Sequence, residues 1–588
     1  MSRAAKLAGR VVQIGAIAFS IIYFITGLAY LCLDHWSVTQ QDFWRVYYIC
    51  LNNSWLHSAL YKFNGHSLFF PSFIWLADLR FFHGDQTVIF YASLLLLLAS
   101  IGLLLASVWH DKSLDLSTRI LATSIVIGFA FWMGRASITV ASGFNCMASL
   151  VIFGMAWALR LLPQMGTPFQ RWRLRSFLLV FAGYIASFSF ATGLAIWPSL
   201  IFLAWCMRLP WRTMAILIVG AVSAALIFHF LPPMGDHSNL IPPDTPLAAI
   251  CLEASDDFCR LVGAPILYCT AAWQGVQITT AITKSSAFLV STGGMGVVLA
   301  LVILLIYFIQ RPLAGKDLEM MGLALISLNL ASLFLVVAGR LVYFRENPSQ
   351  IAAPRYLFWS SLFWAGLVLV TLGLSIRQRW MRPPLALLVL CLPVFGWQAH
   401  RYEGLHWRYS RLLTEQAATG LINGVYDPGQ LLFREMDTVK LLTPELRARR
   451  LDMFAAGMQD WIGTKSSEVF KIKPVSKDFV GDVQVEPLSG TQEQQDAVRV
   501  TGYLRPGKRA VSHVMVILDS DGVIAGIARS FVTSRIFNSL LFANRMPQAH
   551  LCGYIRHYDP SRHYVLRSAD NGVLSEQEIK IAAHSPEK

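Results

Sequence analysis

With 588 residues, 55% of them hydrophobic and only 14% charged, and a mean hydropathy of +0.50, this chain is built for lipid and not for water. Its net charge of +14, from 49 basic and 35 acidic residues, contains no basic run interleaved with aromatics, so it gives no support to nucleic-acid binding. No Walker loop, nucleophile elbow, HExxH or strand-borne GxGxxG occurs either, which leaves soluble ATPase, hydrolase and dinucleotide readings without a basis.

The first apolar run, Val11 to Leu31, is roughly 20 residues long, enough to cross the hydrocarbon of a bilayer. Arg3, Lys6 and Arg10 precede it and no small-residue cleavage site follows, so it reads as a retained anchor. Residues 33–88 come next, a stretch too long and too aromatic for a plain connection. Carrying Asp34, Asp42, Asp78, Asp85, His57 and His66, it reads as a folded loop that holds carboxylates at the membrane surface. Further apolar runs lie near 88–108, 120–134, 145–161, 176–190, 191–207, 213–231, 286–310, 322–338, 357–376 and 385–399, for a predicted total of about 11 spans.

Orientation follows from where the cations fall. With the N-terminus inside, the inside connections hold Lys112 and Arg119, then Arg160, Arg171, Arg173 and Arg175, then Arg208 and Arg212, then Arg311 and Lys316, and finally Arg377, Arg379 and Arg382. An odd number of spans puts the C-terminus outside. The loop 33–88, the segment 232–285 and the tail after His400 are therefore expected on the outer face. In that outer segment Cys251 and Cys259 read either as a disulfide or as two free thiols, and their spacing fits no zinc pattern.

Four groups of residues could carry chemistry. Within QQDFWRVYY, an interfacial helix would turn its aromatics to lipid and Asp42 toward the protein; the bland alternative is a helix cap. Asp34, directly after the first span, is the second candidate base, while His66 in NGHSLFFPS and Asp78 in FIWLADLRFF are further candidates in the same loop. Asp78 could equally pair with Arg80 or with Arg135, itself an outer-face arginine and a substrate-binding candidate. In VVAGRLVYFRENPSQIAAPRYLFWSS, Arg340 and the pair Arg355 and Tyr356 emerge from adjacent spans and can converge on one point. Guanidinium forks suit phosphate oxygens, although an arginine at a helix end also snorkels to headgroups without binding anything in particular. In SFSFATGLAIWPS, Gly193 and Pro198 interrupt an apolar region, as a tight turn or a broken helix, and bring Thr192 and Trp197 close to the outer face.

After Trp397 the character changes. Residues 400–462 read as a helical, polar connecting segment, and 463–588 as short alternating runs, among them DVQVEPL, AVRVTGYL, SHVMVILD, GVIAGIARS, CGYIRHY and HYVLRS, broken by turn pairs such as Asp521-Gly522. The predicted architecture is thus a polytopic α-helical membrane domain over 1–399, a helical connector, and an outside C-terminal β-sandwich.

This order of parts resembles the C-type integral-membrane glycosyltransferases, the GT-C fold: N-terminus inside, a long first outer loop with an acid soon after the first span, many further spans and an outer C-terminal domain. The pieces DFW, NGHSLFFPSFIWLADLRFF, SFSFATGLAIWP and AGR followed by PRYLFW look like a bacterial branch of such proteins, in which a Glu-His-Arg triplet is expected where this chain has Gly65-His66-Ser67. The resemblance covers roughly the first 400 residues. It implies a sugar donor linked to polyprenyl phosphate, a glycan acceptor on the periplasmic side of a bacterial inner membrane, and no nucleotide cofactor; it leaves any divalent metal unassigned. It implies Asp42 as general base, and Arg340 and Arg355 as the groups that neutralise the leaving phosphate. An O-antigen ligase or polymerase, or a polysaccharide-export protein without enzymatic activity, is the alternative class. A transporter would want paired broken helices, and only one interrupted segment is seen.

Overall fold

A computed structural model of the chain describes residues 3–33, 38–39, 42–134, 145–166, 172–234, 246–311, 313, 315–430, 436–473, 480–488, 496–505, 513–532, 549–570 and 572–582. It divides into two compact units.

The first unit comprises Met1–Cys32, Asn53–Ile74 and Ile89–Gly404. Among the described residues, eight helices are long and apolar enough to cross a membrane, which makes this a membrane protein. In chain order the described α-helices of both units are α1 (Arg3–Leu33), α2 (Phe43–Asn52), α3 (Trp55–Ala59), α4 (Phe69–Phe81), α5 (Thr87–His110), α6 (Leu116–Phe131), α7 (Asn145–Leu161), α8 (Trp172–Ser187), α9 (Ile196–Cys206), α10 (Trp211–Phe230), α11 (Leu247–Gln274), α12 (Ile278–Lys284), α13 (Ser286–Gln310), α14 (Asp317–Glu346), α15 (Pro354–Ser375), α16 (Arg382–Ile422), α17 (Met436–Ala448) and the single turn α18 (Ser466–Val469). Three of the runs expected as spans fall on helices of 16, 16 and 11 residues, namely α6, α8 and α9. At 1.5 Å per residue these reach about 16–24 Å, short of a hydrocarbon layer of ~30 Å.

Residues 232–285, expected as an outer loop, are mostly helix. Glu253, Asp256 and Asp257 in the first half of α11 mask an apolar second half, and Ala264, Leu267, Tyr268, Cys269 and Ala271 are buried against Tyr23, Trp132, Leu289, Leu357 and Ala399. Cys251 and Cys259 both ride on α11, eight residues apart, so about 12 Å of helix rise separates them. That exceeds the reach of a disulfide, and both thiols are free.

Between α8 and α9 the chain makes a tight turn through a short 3-10 segment, Ala191–Ala195. A Cβ on Gly193 would lie 1.9 Å from the Ala186 carbonyl oxygen, so only glycine lets the two segments approach this closely. Of the two possibilities for this interrupted stretch, the turn is the one found.

A three-stranded ladder in the same unit positions the residues of interest. β1 (Lys62–Phe63) and β2 (His66–Ser67) form a hairpin, and β3 (Pro233–Met234) lies parallel to β1 on its other side. The two-residue loop is Asn64-Gly65, with φ of +48° and +76°, the left-handed pair that matches the twist of a tight hairpin. Position 65 thus has a backbone reason to be glycine, where the family resemblance leads one to expect glutamate.

The second unit comprises Leu33–Asn52, Trp75–Val88 and Leu405–Lys588. Two pieces of the first loop therefore fold with the C-terminal third. Helix α2 buries Phe43, Trp44, Val46 and Tyr47, and Phe43 packs edge-on against Trp75 at 5.4 Å. The β-rich region expected after 463 is present: β4 (Lys471–Lys473), β5 (Val480–Pro487), β6 (Val498–Arg505), β7 (His513–Leu518), β8 (Ile524–Val532), β9 (Ala549–Ile555), β10 (Val565–Asp570), β11 (Val573–Ser575) and β12 (Ile579–Lys580). Its strands join one ladder of order β4-β11-β10-β7-β8-β9-β6-β5, with β12 also on β10. Just past β12, Ala582 exchanges backbone hydrogen bonds with Val483 and Val485 of β5, so the sheet curls back on itself. Alternate residues of its strands, among them Val485, Val500, Met515, Ile517, Leu551 and Leu566, fill the enclosed core.

Candidate functional site

The three arginines of the α14–α15 hairpin have different surroundings. Arg345 is paired with Glu253 of α11, its Nε donating to a carboxylate oxygen at 2.9 Å. Arg340 and Arg355 face no carboxylate among the described residues. The Arg340 guanidinium lies 5.7 Å from the centre of the Tyr343 ring, and that of Arg355 lies 5.9 Å from the same ring and 5.0 Å from Tyr356. Arg355 also donates to the Tyr343 hydroxyl at 3.1 Å and to the Gln350 side-chain oxygen at 2.8 Å. Aromatic faces and neutral oxygens orient these forks but leave their charge unbalanced. Two cations around one ring repel each other, and an anion seated between them would relieve both.

His66 lies near enough to this pair to feel both charges. The imidazole, presented by the Asn64-Gly65 turn, stacks on Phe190 with ring centres 4.1 Å apart, and Phe190 stacks in turn on Trp359 of α15 at 6.1 Å. Its Nδ1 accepts the Ala191 N–H at 3.4 Å, which leaves Nε2 to carry the proton as a donor. Burial first, then the Arg340 and Arg355 charges, drive its pKa down to about 3. The ring is therefore neutral above that pH and cannot act as an acid at neutrality. We expect the carbon-bound proton resonances of His66, assigned by comparison with His66→Gln, to stay flat between pH 5 and pH 8; an inflection near 6.5 would contradict this surrounding.

The remaining sequence candidates are distributed as follows. Tyr356 is buried against Phe344 at 5.3 Å and forms one wall behind Arg355. Trp197 is also buried; its indole donates to Ser187 at 2.8 Å, and its ring fills space left by Gly183 and Gly220, which is a packing role. Arg135 and Asp34 lie outside the described residues. In the second unit, Asp42 is exposed just before α2, and no hydrogen bond or ion pair engages its carboxylate among the described residues. The expected amphipathic helix is there with its sides exchanged: the aromatics pack inward and the acid turns outward, because α2 packs against Trp75 and α17. Asp78 is fully buried, and its carboxylate accepts the backbone N–H of Gln86 at 3.1 Å and of Val88 at 3.0 Å. It thereby closes the turn that leads into α5.

Sequence reasoning missed three groups. Tyr343 and Gln350 complete the surroundings of the arginines, and the signal for Tyr343 was its place three residues after Arg340, one turn along the same helix face. Asp452 was invisible in advance. Its carboxylate accepts the Thr39 N–H at 3.0 Å, its own N–H donates to His83 at 2.6 Å, and burial, with Asp78 nearby, pushes its pKa up to about 7. Nearby, the Gln86 amide donates to Tyr47 and Thr39, and Tyr47 donates to Gly84, which ties the first-loop pieces together.

Among the described residues no group of three His, Cys, Asp or Glu gathers as metal ligands. Compared with known proteins, the chain matches no family model, no curated protein and no solved structure at a significant level.

Proposed function

We infer that this protein is a membrane glycosyltransferase that takes its sugar from a polyprenyl-phosphate donor and passes it to an acceptor on the extracytoplasmic side of a bacterial inner membrane. The observation that carries the reading is the arginine pair that faces no carboxylate among the described residues. Arg340 near the end of one long apolar helix and Arg355 at the start of the next share Tyr343, and His66 adds a neutral N–H donor. A phosphate at the end of a lipid chain has the charge, the oxygens and the membrane depth for such a pair.

In the reaction, the acceptor hydroxyl oxygen forms a bond to the anomeric carbon as the bond from that carbon to the phosphate oxygen breaks. The phosphate leaves with the electron pair and gains negative charge, which the two guanidiniums stabilise more in the transition state than in the donor. The hydroxyl proton needs a base, and the family resemblance implies Asp42 for that role; no hydrogen bond or ion pair engages its carboxylate among the described residues. The class is tested with the full-length protein in liposomes, supplied with polyprenyl phosphates bearing radiolabelled hexoses or pentoses and with membrane glycans as acceptors. Label passing to a glycan, with release of polyprenyl phosphate, is the expected result. No transfer from any such donor would remove the reading.

A further inference from the structure

A cavity of about 720 Å³ lies within the membrane unit, walled by α1, α6, α11, α15 and α16. Among the described residues no charged side chain lines it. Each hydroxyl in its wall is already committed to a backbone carbonyl: Ser20 to Ala16 at 2.7 Å, Ser124 to Ile120 at 2.9 Å, Ser361 to Phe358 at 3.0 Å, Thr371 to Leu367 at 2.7 Å, and Tyr23 to Pro393 at 2.6 Å. The indoles are committed too, Trp132 to Gly396 at 3.2 Å and Trp364 to Val262 at 2.8 Å. The wall therefore holds no hydroxyl or indole donor free for an occupant, and a headgroup, a sugar or a cluster of waters would find little to bind.

Its rim is apolar as well. Leu299 of α13 and Leu388 and Phe395 of α16 line the cavity yet are 50%, 42% and 37% exposed, so it opens sideways from helices of membrane-spanning length. What lies beside such a mouth is hydrocarbon, and a void of this size would forfeit dispersion contacts on every wall. The cavity is also separate from the arginine pair. On α15 it is lined by Ser361, Trp364, Leu367, Val368 and Thr371. Arg355 precedes Ser361 by six residues, which turns it about 120° around the helix from that face.

We propose that this cavity is a binding site for one acyl chain of a bilayer phospholipid, distinct from the site at Arg340 and Arg355. Its volume falls within the ~300–1,000 Å³ of small-molecule sites, and a flexible chain entering sideways needs no polar recognition.

Gly128 of α6 supplies the test, because it lines the cavity and a Cβ added there would meet nothing within 4 Å. A phenylalanine at that position grows into the empty space. Gly102 of α5 is the control: its added Cβ also meets nothing, but it is exposed and does not line the cavity. The full-length protein is placed in phospholipid nanodiscs doped with phosphatidylcholine that carries a diazirine at mid-chain, irradiated, digested and mapped. Adducts are read on the inner-wall residues between Ser361 and Thr371. We expect adducts there in the wild type and in Gly102→Phe, and at least fivefold fewer in Gly128→Phe at equal overall labelling. Ser124→Leu, one turn away on the same wall, serves as the second blocking variant should Gly128→Phe fail to fold. Three results overturn the proposal: no adducts on this wall in the wild type, equal adducts in a folded blocking variant, or labelling of the wall by a diazirine polyprenyl phosphate but not by the phospholipid.

Discussion

Replacing Arg340 and Arg355 together with alanine is expected to lower sugar transfer from a polyprenyl-phosphate donor by about 100-fold or more, with the protein still folded. A hydrogen bond to a charged group contributes about 1.5–3 kcal/mol, and each 1.4 kcal/mol is a factor of ten, so either single variant should lose about 10- to 100-fold. Part of the loss should appear in KM, since the donor phosphate is charged before reaction, and part in kcat, since the leaving phosphate gains charge. Arg355→Lys keeps the charge but loses the fork that donates to both Tyr343 and Gln350, and should fall between wild type and alanine. Among the described residues neither arginine holds a carboxylate whose desolvation would be uncovered by its removal, so stability should change little. The check is steady-state transfer with varied donor, beside a thermal melt of each variant.

Asp42→Asn should leave donor affinity near that of the wild type and lower kcat by about 10²- to 10⁴-fold, the usual contribution of a positioned base. The contrast with Asp78 makes this specific. Asp78 is buried with two backbone N–H groups on its carboxylate, so Asp78→Asn removes the charge that holds the 82–88 turn, where His83, Gly84 and Gln86 all have positive φ. That substitution should lower the melting temperature, at a cost of about 1–3 kcal/mol, through its effect on the fold. Asp42 is exposed and unengaged among the described residues, and its asparagine should melt like the wild type. Full transfer by Asp42→Asn would transfer the role of base to another group.

Much of the architecture could be read from the sequence because hydropathy over about 20 residues is a long-range average that local detail does not disturb. The six strand segments picked out by alternation each overlap one of β5 to β10, since a half-buried strand must repeat every two residues. What failed were segments whose apolar character is divided. The first half of helix α11 contains CLEASDDFCR, so its buried second half read as part of a loop, while 176–190 and 191–207, expected as two spans, fall on the shorter helices α8 and α9 with the Gly193 turn between them.

The same logic explains the site. Arg340 and Arg355 were legible as a pair because one hairpin carries both, and helix ends bring them together whatever the rest of the chain does. That His66 belongs with them depends on a two-residue turn at Asn64-Gly65, a parallel partner strand more than 160 residues away and the Phe190 ring, none of which leaves a periodic trace. The contact from Thr39 to Asp452 spans 413 residues and links a first-loop piece to the C-terminal third, which no local pattern could announce.

In the proposed function Arg340 and Arg355 bind a lipid phosphate, while Arg345 of the same hairpin does not. Equilibrium binding of radiolabelled polyprenyl phosphate to the detergent-purified protein compares the three alanine variants directly. Arg340→Ala and Arg355→Ala should each weaken binding at least tenfold, and Arg345→Ala, which removes only the partner of Glu253, should stay within about twofold of wild type. Equal affinity across all three, or a loss confined to Arg345→Ala, would contradict it.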